Sequence, residues 1–166
     1  MVPLPVLNRA LAGTVTQDWL NRIEEVAAYH PRIVVFYAGS NDISDGEEAG
    51  PIIERTQQFF NVLHAKSPDT FFYYTSINKA PEKRDRWNVV EAVNREMQEF
   101  SGKNPNHVGY IELNTVLFDA QGRVRENLFL PDGLHFRPPA YEEFARIVKP
   151  ILMKAWENGV GVVKTK

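Results

Sequence analysis

A histidine stands three residues after an aspartate in Asp132-Gly133-Leu134-His135, the spacing of a general base and the carboxylate that orients it. A turn of that length lets Asp132 reach the ring nitrogen nearer the backbone. That fixes the tautomer and leaves the other nitrogen to take a proton. Pro138 and Pro139 follow, and proline suits the first turn of a helix. The same residues could instead be a plain turn, with Asp132 bracing Gly133 and His135 an ordinary surface side chain. A second group, Gly39-Ser40-Asn41-Asp42, follows an apolar run. An Asn amide and a backbone N–H near a glycine are donors of the kind a developing oxyanion needs. The group could also be a helix cap or turn, and Asp42 reads as a support for the loop. Gly13, after Asn8-Arg9-Ala10-Leu11-Ala12, could donate its N–H to the same oxyanion or simply serve a turn. Taken together, base His135, acid Asp132 and donors Gly13, Asn41 and Gly39 are parts for acyl transfer.

These residues are positioned by alternating apolar runs and helical patterns. Residues 5–10 read as a short strand. Residues 16–29 read as a helix capped by Thr16, with Trp19, Leu20, Ile23, Val26 and Ala27 on one face. Residues 32–38 form a near-continuous apolar run, which predicts a strand buried on both faces. A helix is expected over 52–65, with Ile53, Phe59, Phe60, Leu63 and His64 inward. An aromatic strand follows over 70–77, a helix over 86–100, a strand over 107–113 and a turn over 119–122. The last helix is expected over 138–156, with Tyr141, Phe144, Ile147, Val148 and Ile151 inward. Alternation of this kind implies a parallel sheet covered on both faces, with the ligand site at the carboxyl ends of the strands. Gly13, Gly39, Asn41, Ser76, Asn78, Asp132 and His135 all fall at that edge. Trp87 and Phe136, with Phe36, Tyr37 and Tyr74, could line the cleft or belong to the core. The basic stretch Lys79, Lys83, Arg84 and Arg86 reads as a solvated loop. His30, His64 and His107 read as structural.

Composition bounds the alternatives. The chain has 166 residues, enough for one domain with a sizeable core. Lysine and arginine number 19 against 21 aspartates and glutamates, so there is no electrostatic case for nucleic acid or an anionic membrane. Cysteine is absent, which excludes disulfides, thiolate catalysis and cysteine-ligated zinc. No His, Asp and Glu cluster has metal-ligand spacing, no glycine-rich phosphate loop occurs, and no cofactor is called for. No apolar run is long enough to span a membrane, and no leader pattern opens the sequence, which leads to the expectation of a cytoplasmic protein.

In these residues the chain resembles the SGNH hydrolases, the GDSL-type esterases and lipases. Asn8 to Gly13 resembles the family's second block, Gly39-Ser40-Asn41-Asp42 its third, and Asp132-Gly133-Leu134-His135 its last. The resemblance spans about Val6 to Leu152. It implies a flavodoxin-like three-layer α/β/α sandwich with a parallel sheet. It also implies hydrolysis of short acyl esters or acetylated sugars, with His135 as base, Asp132 as its orienting acid, and Gly13 and Asn41 holding the oxyanion. The departure is at the first block, whose strand ends in the serine nucleophile. The serines here are Ser40, Ser44, Ser67, Ser76 and Ser101, and none precedes Gly13. The missing strand would be central, between residues 6–10 and 32–38.

Such a loss leaves strand edges unpaired. Either the flanking strands pair directly or another chain supplies the contact, and the expectation is a homo-oligomer, a dimer or swapped assembly. The expected organisation is one hydrolase-like domain over 1–158 with a flexible tail over 159–166. The partner is a small-molecule ester, and no activity or weak activity is expected without the serine. The alternatives are a non-catalytic descendant that keeps the pocket for a small ligand, and a shortened form of an active enzyme.

Overall fold

The computed structural model describes residues 5–159. The expected tail therefore lies outside the described residues, apart from Gly159. Three parallel strands form the sheet in the order β1 (Ile33–Phe36), β2 (Phe71–Thr75) and β3 (Val108–Ile111). Ile33 lies opposite Phe71 and Phe36 opposite Tyr74; Phe72 lies opposite Val108 and Thr75 opposite Ile111. The helices are α1 (Thr16–Asn21), α2 (Ile23–Ala27), α3 (Ser40–Ser44), α4 (Ala49–Lys66), α5 (Trp87–Lys103), α6 (Asn114–Leu117) and α7 (Pro138–Glu157). Short 3-10 turns cover Pro81–Arg86 and Glu126–Leu128. This is the expected α/β fold. None of these helices is long and apolar enough to cross a membrane.

Alternate side chains along a strand point to opposite faces, and both faces of β2 are used. Phe72 and Tyr74 face α4 and α5, packing with Phe36, Phe59, Phe60, Val90, Val93 and Met97 in the larger core. Phe36 stacks on Phe59 with ring centroids 4.7 Å apart. Each such buried aromatic contributes roughly 1.5–3 kcal/mol by leaving water. Tyr73 faces the other way, into a second core with Ile111, Leu117, Leu128, Phe129 and Phe144, against which Ile147, Val148 and Ile151 of α7 pack.

The second face is covered unevenly. Val35 lies opposite Tyr73 in register and shares its face, yet it is 44% exposed. The expectation that 32–38 is buried on both faces is thus corrected. β1 pairs only with β2 among the described residues, so it is an edge strand. Residues 5–10, expected as a strand, are exposed coil, with Val6 81% exposed. It pairs with no strand among the described residues, and the outer edge of β1 is left open.

Other boundaries shift for local reasons. The helix expected over 16–29 is two, broken at Arg22, where φ is -105° and ψ is 12°. Thr16 is not its cap. Asp18 takes the Val15 N–H at 2.9 Å, while Thr16 is buried. α4 begins earlier than expected, since Pro51 sits in its first turn where no N–H is needed. Ile53 and His64 are only half-buried, and Ile52 and Thr56 complete its inner stripe. Tyr141 is 57% exposed rather than inward, because α7 is flanked by core on one side only.

Candidate active site

The Asp132–His135 turn is closed by its own hydrogen bonds. Asp132 Oδ1 accepts the backbone N–H of Leu134 at 2.8 Å and of His135 at 2.9 Å, and Oδ2 lies 2.8 Å from His135 Nδ1. The Leu134 N–H first, and then the His135 ring, hold the Asp132 carboxyl down at about 2. An ionised Asp132 makes Nδ1 the protonated nitrogen and leaves Nε2 as the acceptor. The His135 side chain is largely solvent-exposed. Leu130 N–H donates to the His135 carbonyl at 2.7 Å, which closes the loop across its neck.

The second group sits past β1. Gly39 has φ of 106°, and a Cβ there would fall 2.7 Å from Ile77 Cδ1, so only glycine fits. The chain then turns into α3, a short helix where the sequence could also be read as a loop. Asn41 donates its side-chain amide to the Thr14 carbonyl at 2.8 Å. Gly13, with φ of 77°, shapes the turn that presents this carbonyl. Gly13, Gly39 and Asn41 are thus brought together, while one amide hydrogen of Asn41 is already engaged.

Asp42 fastens this corner from below. It accepts from Thr16 N at 3.0 Å, from the Thr16 hydroxyl and from Arg55 Nη2 at 3.0 Å, and it is fully buried. Arg55 also pairs with Glu47, which lowers the Glu47 pKa. Sequence reasoning anticipated Asp42 as a loop support but missed Arg55, whose place on a helix's polar face carries no signal.

The two groups are linked through Pro81–Arg86. Glu82 N–H donates to the Gly133 carbonyl at 3.1 Å. Next in sequence, Lys83 donates from Nζ to Ser44 Oγ at 2.6 Å and pairs with Glu82 at 3.1 Å. Lys83 is 3% exposed, which corrects the expectation of a solvated basic loop. Lys79 pairs with Glu91, and Arg86 with Glu48 and the carbonyls of Gly46 and Glu47.

The remaining candidates separate. Ser76 is buried and its hydroxyl accepts from Leu113 N at 2.9 Å and Asn114 Nδ2 at 3.2 Å, so it bridges β2 to the segment after β3 rather than facing a cleft. Asn78 is buried, and its Oδ1 has no hydrogen-bond partner among the described residues. Trp87 donates its Nε1–H to the Ala80 carbonyl at 2.8 Å and lines a cleft with Arg84, Asp119 and residues 122–127. Phe136 packs on Phe129 and Phe144, at the base of α7. Among the described residues no serine hydrogen-bonds His135, whose side chain bonds only Asp132. Nor do any three His, Asp or Glu side chains among them gather to hold a metal ion.

The fold has solved counterparts. A GDSL-like lipase from Bacteroides thetaiotaomicron superposes with a TM-score of 0.70 at 18% identity, over 89% of this chain and 75% of that one. A carbohydrate esterase of family 3 from Talaromyces cellulolyticus does so with a TM-score of 0.72 at 21% identity, over 88% and 70%. An acetyl esterase S10A variant with acetate gives the same TM-score, identity and coverages. At these identities the likeness is one of fold. No curated protein sequence matches the chain. The model of the GDSL-like lipase/acylhydrolase family matches residues 2–143, and the chain belongs to that family.

Proposed function

We propose that this chain is a carboxylic-ester hydrolase by design, acting on short acyl esters or acetylated carbohydrates. In this reading His135 Nε2 is the base, Asp132 orients and stabilises the imidazolium, and the Gly13 and Gly39 N–H groups with the Asn41 amide receive the oxyanion. The observation that supports it most is the Asp132 carboxylate, ionised down to about pH 2 and 2.8 Å from His135 Nδ1. With no serine on His135 among the described residues, the base acts on an alternative nucleophile or directly on water, and a weak residual rate is expected. Hydrolysis of p-nitrophenyl acetate by wild type and His135→Ala tests this. Equal rates overturn it.

A second reading is a non-catalytic binding module on the same fold. It is favoured by Ser76 being committed to Leu113 and Asn114. A ligand-induced rise in melting temperature, without fluorophosphonate labelling, would support it over the first.

The same proposal covers organisation. Residues 1–158 are one domain of a cytoplasmic protein, and the open edge of β1 is closed by a second copy of the chain. Edge backbone of β1 that is unpaired among the described residues, beside the exposed Val35 and Tyr37, supports this. Light scattering behind size-exclusion chromatography should give a dimer, and a monomer at all concentrations would exclude it.

A further inference from the structure

Lys83 is a buried amine that the Asp132–His135 site does not use. Its side chain is 2% exposed. Nζ donates to Ser44 Oγ at 2.6 Å and pairs with Glu82 Oε2 at 3.1 Å. Ser44 closes α3 and is exposed, so its oxygen is open to a reagent on one side and held by the amine on the other. Its hydroxyl otherwise makes only a long bond, to the Ser40 carbonyl at 3.3 Å. Among the described residues the other serines meet no lysine or histidine. Ser67 accepts from the Thr70 hydroxyl, Ser76 is held by Leu113 and Asn114, and Ser101 donates to the Gln98 carbonyl.

A serine within hydrogen-bond reach of a base, with the base oriented by a third group, is the arrangement that activates a nucleophile. Here the three groups are Ser44, Lys83 and Glu82, and the backbone of each is fixed. Ser44 belongs to α3, Lys83 N–H bonds the Ala80 carbonyl at 3.1 Å, and Glu82 N–H bonds the Gly133 carbonyl at 3.1 Å. We infer that Ser44 is a nucleophile activated by Lys83, taking an acyl or phosphonyl group. In the resting chain Lys83 carries its extra proton beside Glu82. Handing that proton to Glu82 Oε2 removes the charge from a side chain that water hardly reaches. The freed Nζ lone pair then takes the Ser44 hydroxyl proton as Oγ bonds the carbonyl carbon of an ester. The bond from that carbon to the leaving oxygen breaks, and the alcohol departs with the proton from Lys83. The Ser44 ester is hydrolysed by the same steps, with water as the nucleophile and Ser44 as the leaving group. None of these steps uses His135, so Ser44 reacts whether or not His135 acts as a base.

The test labels the whole chain with a fluorophosphonate and locates the adduct by mass spectrometry of its peptides. Oγ bonds phosphorus, and fluoride leaves while Lys83 keeps the serine proton. The adduct is expected on Ser44 of the folded chain, and not in urea. Ser44→Ala should remove it. Lys83→Met, which fills the same space, should slow labelling roughly 10²–10⁴-fold, the usual contribution of a general base, and keep the melting temperature. Lys83→Arg keeps the charge and a donor for Ser44 but gives up no proton, so it should label as slowly as the methionine variant. Glu82→Gln, at an exposed position, should slow labelling about tenfold, the loss of one charge-assisted bond. Wild-type labelling of Lys83→Met or Lys83→Arg would leave Lys83 a structural tie and overturn its part as the base. An adduct on another serine or on Lys83, no adduct on the folded chain, or labelling that persists in urea overturns the nucleophile. Loss of the Ser44 adduct in His135→Ala would move the base to His135 and likewise overturn the part of Lys83.

Discussion

The Asp42 carboxylate receives the Thr16 backbone N–H at 3.0 Å, across 26 residues of sequence, and so locks the start of α1 against the first turn of α3. This contact sets where the Gly13–Thr14 turn stands relative to Asn41. Removing the carboxylate strands the Thr16 N–H and leaves Arg55 with Glu47 and the Thr16 hydroxyl. Asp42→Ala is expected to cost on the order of 3 kcal/mol of stability, and Thr16→Val about 1 kcal/mol. Urea denaturation measures both, and an Asp42→Ala cost of under about 0.5 kcal/mol would contradict the assignment.

Lys83 provides the second tie, from Pro81–Arg86 to Ser44. Its partners Ser44 and Glu82 are exposed and can turn to water. Lys83→Met, which fills the same space without the charge, should therefore change stability by less than about 1 kcal/mol. Lys83→Ala, which leaves a void, should cost about 2–3 kcal/mol. A larger loss for the methionine variant than for alanine would show that charge, not volume, matters there.

Asp132 titrates at about 2 in the folded chain, below the ordinary carboxylate value of 3.8. Its contribution to stability is present above the ordinary range and disappears as pH falls through about 2. Across neutral pH it keeps the His135 proton on Nδ1. In Asp132→Asn, nitrogen NMR of His135 should lose that tautomer preference. Any residual esterase rate should fall too, by far less than in an intact triad, because the effects of groups that act as a unit do not add. A retained Nδ1–H tautomer in the variant would remove Asp132 from this role.

His64 and His107 lie with ring centroids 4.2 Å apart beyond the amino ends of β2 and β3. Burial first, and His107 second, push the His64 pKa below the ordinary 6.5. The folded state thus prefers neutral His64. Stability should be full above about pH 6.5 and decline as pH drops through that value toward the folded one. His64→Leu should flatten the decline. A wild-type unfolding midpoint constant from pH 7.5 to 5.5 would contradict it.

Most elements and the local chemistry follow from residues close together in the chain. The run of 32–38 could only be a strand, the stripes of α4, α5 and α7 only helices. Asp132 and His135 are three apart, so a turn joins them wherever it sits. Such features depend on neighbours in the chain. Others were decided by contacts between distant segments. Lys83 reads as solvated because its neighbours are polar, and is buried because Ser44 arrives from α3. Ser76 reads as open to a cleft, and is consumed by Asn114 from beyond β3. Residues 5–10 carry a strand's composition but stay coil, because composition does not decide whether a segment reaches a neighbouring strand's ladder. Burial and pairing belong to the assembled fold, and no local pattern encodes which distant group will occupy a side chain's surroundings.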